Sequence, residues 1–352
     1  MRAAIWDGPG TMSVGTVPDA RCADDGVLLR VTACGICGTD VRTFYNGDRR
    51  ISPPWVLGHE ISGELIEIGP RAADEIAAAG ISVGDHVHCI STLWCGRCRM
   101  CRGGAENLCL NGELMGFDHP GAYAERVVIP NIALKNLFRI PDGLSPAHAT
   151  FADPLSDVIC GHKDIGIGLD DNVVVIGAGP VGTAHVALAR LQGAGHVMLL
   201  ERTAKRLELA HAIVGDDRVS YLDTEDADGV AAVSRETDGF GADVVIVACS
   251  SDIAQQEAME MAAPRGRVLF FGGLPKGTTH IQFPSNVLHY KEVQVHGSYA
   301  SRHRDQVAAL DMLAADAGGI RSVVSDIIGL DETPDAFPRI RAGEALKVVV
   351  AP

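Results

Sequence analysis

The stretch that most constrains this chain is a short apolar run followed at once by a glycine-rich turn. Val173–Ile176 consists of β-branched residues, which is typical of a strand buried on both faces of a parallel sheet. Apolar residues then recur at helical spacing from Val181 onward. Gly177 allows the tight turn, Gly179 lets the backbone approach a diphosphate, and Gly182 lets helix and strand pack closely. The helix begins at Pro180, so the free N–H groups and the positive dipole end of the helix face the glycine turn. A diphosphate binds at such a helix end, and the pattern therefore predicts dinucleotide binding.

A second apolar run, Val197–Leu200, ends at Glu201, nineteen residues after Gly182. An acidic side chain at this place accepts both ribose hydroxyls of adenosine and repels a 2′-phosphate. The sequence therefore favours NAD over NADP. Arg202 and Arg206 lie just beyond the acid, however, and either can bind a phosphate, so NADP stays the alternative.

Length, charge and cysteine content limit the classes of protein to which the chain can belong. A chain of 352 residues is longer than one hydrophobic core usually supports, so two domains are expected. The net charge of −15 disfavours nucleic acid or an anionic membrane as a partner, because both bind a basic face. The N-terminus lacks a signal peptide's apolar core, so we expect a cytoplasmic location. Ten cysteines in such a chain indicate metal binding or catalysis before disulfides.

The sequence pattern changes near residue 150. Before it, short strand-like runs such as Arg2–Trp6 and Val27–Val31 are separated by turn residues, which indicates a β-rich lobe. From about Pro154, strands alternate with helical patterns, and six such strands joined by crossovers predict a doubly wound parallel sheet. The six predicted strands are Val173–Ile176, Val197–Leu200, Val219–Tyr221, Val244–Ala248, Arg267–Phe271 and Val293–Val295. A helix over Asp305–Ala315 and a strand over Leu346–Val350 are expected to return to the first lobe.

Four cysteines have the spacing C-x2-C-x2-C-x7-C: Cys95, Cys98, Cys101 and Cys109. Thiolates are ligands that tetrahedral zinc prefers, and four of them leave no position for a substrate. The spacing therefore predicts a structural zinc site. Disulfide pairing is one alternative, and an iron–sulfur cluster is the other, although its usual run places the fourth cysteine differently.

Further metal-binding side chains lie beside glycines or next to the cofactor domain: Cys37 and Asp40, His59 and Glu60, and Asp153. In order and spacing, these segments and the four cysteines resemble the zinc-dependent medium-chain alcohol and polyol dehydrogenases, the sorbitol (iditol) and threonine dehydrogenase branch in particular. The resemblance covers essentially the whole chain. It implies an α/β protein with a β-rich GroES-like catalytic domain, residues 1–155 completed by 299–352, and a doubly wound NAD-binding Rossmann domain, residues 156–298.

The resemblance also implies two zinc ions per chain and assigns roles around the second one. Cys37, His59 and Asp153 would bind a catalytic zinc, with water or substrate oxygen in the fourth place. Asp40 would orient the imidazole of His59, and Glu60 would lie behind the metal, in a place from which it could coordinate transiently. Thr39 would pass the substrate proton toward the nicotinamide ribose. Cys34 is expected to be a small buried side chain rather than a ligand.

Two residues depart from the common pattern of these dehydrogenases. Many relatives carry Cys or Glu where this chain has Asp153, so either the backbone comes closer or a water lies between carboxylate and metal. The threonine dehydrogenase branch does use Asp there. Arg42 replaces a histidine that ends the proton relay, and arginine cannot accept a proton. Arg42 is then either a group that binds an anion or a surface side chain.

The substrate is predicted less directly than the chemistry. Tyr45, Trp55, Phe117 and His119 are near the metal-binding segments in sequence and are candidates for a pocket or for the core. Similarity of Asn286–Glu292 to the polyol branch, with Arg302 and Arg304 as possible polar contacts, favours a polyol, cyclitol or sugar alcohol. The alternatives are an amino alcohol such as threonine, or a non-catalytic NAD-binding relative. The resemblance further implies a homodimer or homotetramer.

Overall fold

The structure is a computed structural model that describes residues 1–275 and 277–352. Over the described residues the strands are, in chain order, β1 (Arg2–Gly8), β2 (Thr11–Thr16), β3 (Val27–Gly35), β4 (Trp55–Val56), β5 (Glu60–Ile68), β6 (His86–Cys89), β7 (Thr92–Leu93), β8 (Glu113–Leu114), β9 (Arg126–Ile129), β10 (Leu137–Arg139), β11 (Asn172–Ile176), β12 (His196–Glu201), β13 (Val219–Asp223), β14 (Ala242–Val247), β15 (Ala262–Phe270), β16 (Gln294–Gly297), β17 (Val324–Gly329) and β18 (Lys347–Ala351).

The α-helices within the same residues are α1 (Gly38–Asn46), α2 (Ala73–Ala78), α3 (Arg99–Arg102), α4 (Pro146–Ala149), α5 (Ala152–Ile165), α6 (Pro180–Leu191), α7 (Ala204–Val214), α8 (Gly229–Glu236), α9 (Asp252–Met261), α10 (Ser285–Lys291), α11 (His303–Ala314) and α12 (Thr333–Arg341). Within these described residues, none of the helices is both long and apolar enough to cross a membrane.

The chain divides into two units. The first comprises Met1–Ser156, Ala300–Ala315 and Val324–Pro352, and the second comprises Asp157–Tyr299 and Asp316–Val323. The predicted domain bounds differ from this division in one segment, because residues 316–323 belong to the second unit. A 3-10 turn, Ala317–Val323, packs there against α6 and α7.

The first unit is built on a mixed sheet with strand order β10-β6-β5-β3-β18-β17, in which β9 also pairs with β3. Strand β3 lies in the middle and pairs antiparallel with both β5 and β18. Gly35 at the end of β3 is opposite Glu60 at the start of β5, and the same glycine is opposite Val349 of β18. Three distant parts of the chain therefore meet where β3 ends.

The second unit is a six-stranded sheet in the order β13-β12-β11-β14-β15-β16, and every pair in it is parallel. Alternate residues of β11 enter two separate cores. Val173 and Val175 pack with residues of α6 and α7, whereas Val174 packs with residues of α8 and α9. Helices cover both faces, as the apolar runs of the sequence predict for a buried parallel sheet. The predicted fold class is confirmed.

Candidate metal centres and dinucleotide site

Three side chains of the first unit bring a thiol, an imidazole and a carboxylate together. The donor atoms of Cys37, His59 and Glu60 all lie within 4.8 Å of one another. Cys37 is the N-cap of α1, two residues after the end of β3, while Glu60 begins β5 and His59 directly precedes it. His59 and Glu60 are buried and Cys37 is half-buried. Sulfur, nitrogen and carboxylate oxygen at this separation form a donor set that fits zinc.

The imidazole of His59 is held by a buried carboxylate. His59 Nδ1 lies 3.1 Å from Asp40 Oδ1, and Asp40 Oδ2 accepts from Tyr123 Oη at 2.9 Å and from the Cys37 N–H at 3.1 Å. Burial opposes ionisation of Asp40, but His59 and these hydrogen bonds outweigh it and lower the pKa of Asp40. Because Nδ1 faces Asp40, Nε2 is the ring nitrogen that can bind a metal.

The charge of Asp40 also acts on His59. Burial lowers the pKa of His59, but the Asp40 carboxylate and Cys37 raise it well above its usual range. The ring therefore retains a proton on Nε2 until a metal displaces it. Metal binding at this cluster is then expected to release protons.

Glu60 forms a buried ion pair with Lys347, the first residue of β18. Lys347 Nζ also donates to the carbonyl oxygen of Ile36 at 3.1 Å. Burial raises the pKa of Glu60. Desolvation opposes the charge of Lys347, but Glu60 outweighs it and raises the pKa of the lysine. A lysine beyond residue 340 thus supports a donor near residue 60, a contact that the sequence pattern does not indicate.

Asp153 does not join the cluster that the structure forms. Both of its carboxylate oxygens accept hydrogen bonds from Ser91. The Ser91 backbone N–H donates to Asp153 Oδ1 at 2.9 Å, and the Ser91 hydroxyl donates to Asp153 Oδ2 at 3.0 Å. The donor cluster that the structure forms thus has Glu60 as its third member, while Ser91 holds Asp153 with two hydrogen bonds. The predicted ligand set of Cys37, His59 and Asp153 stays a prediction, with Glu60 as the other candidate for the third ligand.

Three further residues of this region that the sequence singled out, Cys34, Thr39 and Arg42, differ in burial. Cys34 is fully buried, and burial raises the pKa of its thiol well above the usual range. Thr39 is half-buried in the first turn of α1, and its backbone N–H donates to Cys37 Sγ at 3.5 Å. Arg42 is exposed on the same helix. Neither its predicted anion contact nor the proton relay through Thr39 is tested by these positions.

The four cysteines of the second predicted metal site do come together. Cys95, Cys98, Cys101 and Cys109 have sulfur atoms within 4.8 Å of one another, and all four are free of disulfides. The backbone N–H of Arg97 lowers the pKa of Cys95 to about 6, whereas burial raises that of Cys101 to about 12. Four sulfurs with N–H donors around them form a closed set that matches structural zinc.

The glycine turn of the second unit has the geometry that its motif predicts. Gly177 has φ +108°, and a Cβ on Gly182 would lie 1.7 Å from the carbonyl oxygen of Gly177. A Cβ on Gly179, by contrast, would meet no atom within 4 Å. Gly179 is the N-cap of α6 and Pro180 is its first residue. The turn thus leaves open space at the helix N-terminus, where a diphosphate binds.

Glu201 ends β12 beside this turn. Its Oε2 accepts from the Ala178 N–H at 2.9 Å, and its Oε1 accepts from the Arg202 N–H at 2.8 Å. Arg206 Nη1 is 4.0 Å from Glu201. These residues border a cavity of about 380 Å³ that Glu225 and Glu257 also line.

Comparison with known proteins identifies the family. The family model "Alcohol dehydrogenase GroES-like domain" matches residues 23–142, and "Zinc-binding dehydrogenase" matches residues 180–315. L-threonine 3-dehydrogenase of Pyrococcus horikoshii is 32% identical over 92% of this chain and 90% of its own length. This chain belongs to the zinc-dependent medium-chain dehydrogenases.

Other members of the family extend the comparison. Sorbitol dehydrogenase of Halalkalibacterium halodurans is 30% identical to this dehydrogenase over 98% of this chain and 97% of its own length. A zinc-binding dehydrogenase structure from Sinorhizobium meliloti, bound to NADP, is 31% identical and has a TM-score of 0.87, covering 100% of this chain and 99% of that one. The predicted resemblance is confirmed, and relatives with both substrate names match along nearly the whole dehydrogenase.

The aromatic residues near the metal-binding segments of this dehydrogenase have separate surroundings. Phe117 is buried with its ring centre 5.9 Å from that of His59. Trp55 Nε1 donates to the Gly116 carbonyl at 2.8 Å, and His119 Nε2 lies 2.6 Å from Glu113. Tyr45 stacks under Arg341. Phe117 alone of these four has a ring contact with a predicted metal ligand among the described residues.

Sequence reasoning missed three residues that hold carboxylates of this region: Tyr123 contacts Asp40, Ser91 contacts Asp153, and Lys347 contacts Glu60. Each acts through a contact with a residue more than 60 positions away in the chain. Of these three, only Lys347 gave a signal in the sequence, because a lysine inside an apolar run that forms a buried β-strand needs a counter-charge.

Proposed function

We propose that this dehydrogenase oxidises a secondary alcohol with NAD, using a zinc ion held by Cys37, His59 and Glu60. The observation that carries the proposal is the mixed donor set itself, with three different donor types within 4.8 Å in a zinc-binding dehydrogenase. Three protein donors leave one tetrahedral position for a substrate, whereas the four-cysteine set leaves none. The two sites therefore have different proposed roles, one catalytic and one structural.

The proposed chemistry assigns each side chain one task. Bound zinc would act as a Lewis acid that favours loss of the alcohol proton near neutral pH. Asp40 keeps His59 Nδ1 occupied, so that Nε2 remains the donor. Thr39 is proposed to accept the alcohol proton through its hydroxyl. Arg42 cannot continue the transfer, so the proton leaves to solvent or to another group. The hydride from the carbinol carbon goes to the nicotinamide.

We favour NAD over NADP because three carboxylates border the cavity beside the glycine turn. Glu201, Glu225 and Glu257 all line it, and burial together with nearby Asp228 raises the pKa of Glu257. A 2′-phosphate would meet these carboxylates. Arg202 and Arg206 line the same cavity, and the Sinorhizobium meliloti relative was solved with NADP, so both cofactors belong in the assay.

Two substrate classes are supported by different observations. A polyol or sugar alcohol is the first proposal, supported by the sorbitol dehydrogenase relative and by the polyol-like stretch Asn286–Glu292. L-threonine is the second candidate, supported by relatives of that name at 32% identity and by Asp153, which that branch carries. A site built to bind several substrate hydroxyls rejects simple alcohols, because these lack the additional hydroxyls and leave buried polar groups of the protein unpaired.

A substrate panel with metal analysis tests the proposal. Purified enzyme is assayed with NAD and NADP on polyols, cyclitols, L-threonine and simple secondary alcohols, and zinc per chain is measured alongside. We expect NAD reduction and two zinc ions per chain. One zinc per chain without turnover would instead support a non-catalytic NAD-binding relative. Size-exclusion chromatography with light scattering tests the proposed homodimer or homotetramer.

A further inference from the structure

Two polar side chains on the sheet of the first unit are buried without a hydrogen-bond partner among the described residues. Ser62 of β5 and His88 of β6 are both 0% exposed. Within residues 1–275 and 277–352, neither the Ser62 hydroxyl oxygen nor either ring nitrogen of His88 forms a hydrogen bond. A buried polar group without a partner costs free energy, so native folds rarely retain one. The pair, which the proposed chemistry does not use, therefore indicates a bound ligand.

The two side chains are neighbours on one face of the sheet. Ser62 and His88 are directly opposite each other in the antiparallel pair of β5 and β6, so their Cβ atoms lie roughly 4.5–5.5 Å apart. Side chains alternate across a strand, and the adjacent Ile61 and Cys89 pack into the core of the first unit. Ser62 and His88 therefore face the opposite side of the sheet. Helix α4 packs against both strands with residues that lie outside that core, so it covers the pair.

The chemistry of the pair fits a water molecule. Burial lowers the pKa of His88 from 6.5 to about 4, although Asp153 and the Ile61 carbonyl act in the other direction. The neutral ring has one N–H donor and one bare nitrogen that accepts, and the serine hydroxyl both donates and accepts. The Ile61 carbonyl oxygen is a further acceptor beside the ring. An internal water usually forms about three hydrogen bonds, and these groups supply them.

Asp153 connects this pair to the metal cluster. It is the charged group that raises the pKa of His88, and it also raises that of Glu60. Helix α5, of which Asp153 is the second residue, begins three residues after the end of α4. Ser91 donates one hydrogen bond to each Asp153 oxygen. Because each carboxylate oxygen has a second lone pair, Asp153 can accept a further hydrogen bond on the side of His88.

We propose that Ser62 and His88 bind an internal water molecule beneath α4, and that this water hydrogen-bonds to the Asp153 carboxylate. Two neutral polar side chains that need both a donor and an acceptor set the class of ligand. Ser62 and His88 are then positioning residues, because they act on Asp153 through the water and touch no substrate. The effect on the metal cluster rests on the proposed function, whereas the water site itself does not.

A high-resolution crystal structure of the zinc-loaded wild type tests the water directly. We expect one ordered peak within roughly 2.7–3.2 Å of Ser62 Oγ, of a ring nitrogen of His88 and of an Asp153 oxygen. A direct hydrogen bond between Ser62 and His88 in place of the peak, or a pair without any peak, would overturn the water site. A peak that does not reach Asp153 would overturn the link to that carboxylate. This measurement needs no variant to fold.

Zinc affinity of the Cys37 cluster, measured by chelator competition, tests the positioning role. We expect His88→Leu to lower this affinity roughly 3- to 10-fold, less than for a group that contacts a metal ligand directly, because a water intervenes. His88→Gln retains a donor and should recover part of the loss. His86→Leu, at the exposed first residue of the same strand, is the control and should match wild type.

A double-variant comparison separates this role from general packing. If His88 acts through Asp153, His88→Leu should lower zinc affinity in wild type but add no further loss in an Asp153→Asn background. Equal losses in both backgrounds, or an unchanged affinity in His88→Leu, would overturn the positioning role. Failure of the proposed function looks different, because then the Cys37 cluster binds no zinc and no secondary alcohol reduces NAD or NADP. The water site is in that case still judged by the crystal structure.

Discussion

Asp40 has no exposure to solvent, yet its carboxylate stays ionised because three groups hydrogen-bond to it. One of them, Tyr123 Oη, comes from a residue that is itself fully buried. Burial and the charge of Asp40 raise the pKa of Tyr123, so its O–H remains a donor at any working pH. Tyr123 therefore holds Asp40, and through it His59, without touching a metal.

Replacing Tyr123 by Phe removes this donor and keeps the ring. We expect a loss of about 1.5–3 kcal/mol in the free energy of unfolding, because the bond goes to a charged, buried acceptor. Zinc affinity of the Cys37 cluster should fall about 10- to 100-fold, as for other groups that orient a metal-bound histidine. Urea unfolding and zinc competition measure both. Tyr221→Phe is the control, since its hydroxyl donates to a neutral carbonyl in the other unit. Equal effects of both variants would contradict the prediction.

Glu60 and Asp153 offer a direct comparison of two carboxylates. Glu60→Gln leaves Lys347 buried without its counter-charge and should cost about 3–5 kcal/mol. The double variant Glu60→Gln/Lys347→Met removes that charge and should recover most of the stability, but it should bind zinc at the Cys37 cluster more weakly than Asp153→Asn does. Zinc titration of the two variants measures the order. The reverse order would identify Asp153 as the third ligand.

At the scale of single elements, two glycines at the turn before α6 have different roles: Gly182 allows close packing, and Gly179 leaves space for a diphosphate. Gly182→Ala would place a Cβ against the Gly177 carbonyl and should destabilise or prevent folding of the second unit. Gly179→Ala has room for its Cβ and a φ of −74°, so the fold should be retained. The added methyl would occupy the space of the diphosphate, and NADH affinity should fall at least 10-fold. Thermal unfolding and NADH fluorescence titration measure the two effects. Unchanged NADH binding in Gly179→Ala would place the diphosphate elsewhere.

A buried histidine pair on α5 and α6 is expected to make stability depend on pH. His162 Nε2 lies 2.9 Å from His185 Nδ1, and both rings are almost fully buried. Burial lowers the pKa of His162 from 6.5 to about 4 and holds that of His185 well below its usual value. At a pH between about 4 and 6.5 these histidines are protonated in the unfolded chain and neutral in the folded one, so the unfolded chain binds more protons. The stabilisation is therefore complete above about pH 6.5 and is lost as the pH falls toward 4.

His162→Gln removes one titrating ring of this pair. Its free energy of unfolding should fall less between pH 6.5 and 4.5 than that of wild type, by on the order of 2 kcal/mol. Urea unfolding at several pH values measures the slopes. His211→Gln on the exposed face of α7 is the control and should parallel wild type. Parallel curves for all three proteins would mean that the pair does not set the acid sensitivity.

The elements of the second unit could be predicted well because their signals are local. All six parallel strands lie where apolar runs predicted them, with Val173–Ile176 observed as Asn172–Ile176. The bounds are less accurate than the existence of the strands: β15 begins at Ala262, five residues before the predicted start at Arg267. Helix α1 was not predicted, since it opens with Gly38 and its N-cap is a cysteine. Pairing across the sheet decides such positions, and a single sequence does not display it.

At the scale of the whole molecule, the residues that hold the candidate metal-binding carboxylates come from distant parts of the first unit's sequence. Lys347 reaches Glu60 because β18 pairs with β3, and Ser91 reaches Asp153 across 62 positions. Sequence motifs identified Cys37, His59 and the four cysteines, since their spacing is short and chemically distinctive. The supporting residues could not be found in that way, because folding alone makes them neighbours.

The two metal clusters should respond differently when metal is withdrawn. Four cysteine sulfurs would fill the coordination sphere of a bound zinc, whereas Cys37, His59 and Glu60 would leave one position for exchange with a chelator. Dialysis against EDTA should therefore abolish NAD reduction while one zinc per chain and the thermal unfolding midpoint are largely retained. Cys98→Ser should lose the other zinc and lower that midpoint, because binding energy at a structural site is folding energy. Atomic absorption, activity and circular dichroism follow the three quantities. Simultaneous loss of both ions, or an unchanged metal count in Cys98→Ser, would show that the four-cysteine cluster is not a closed structural site.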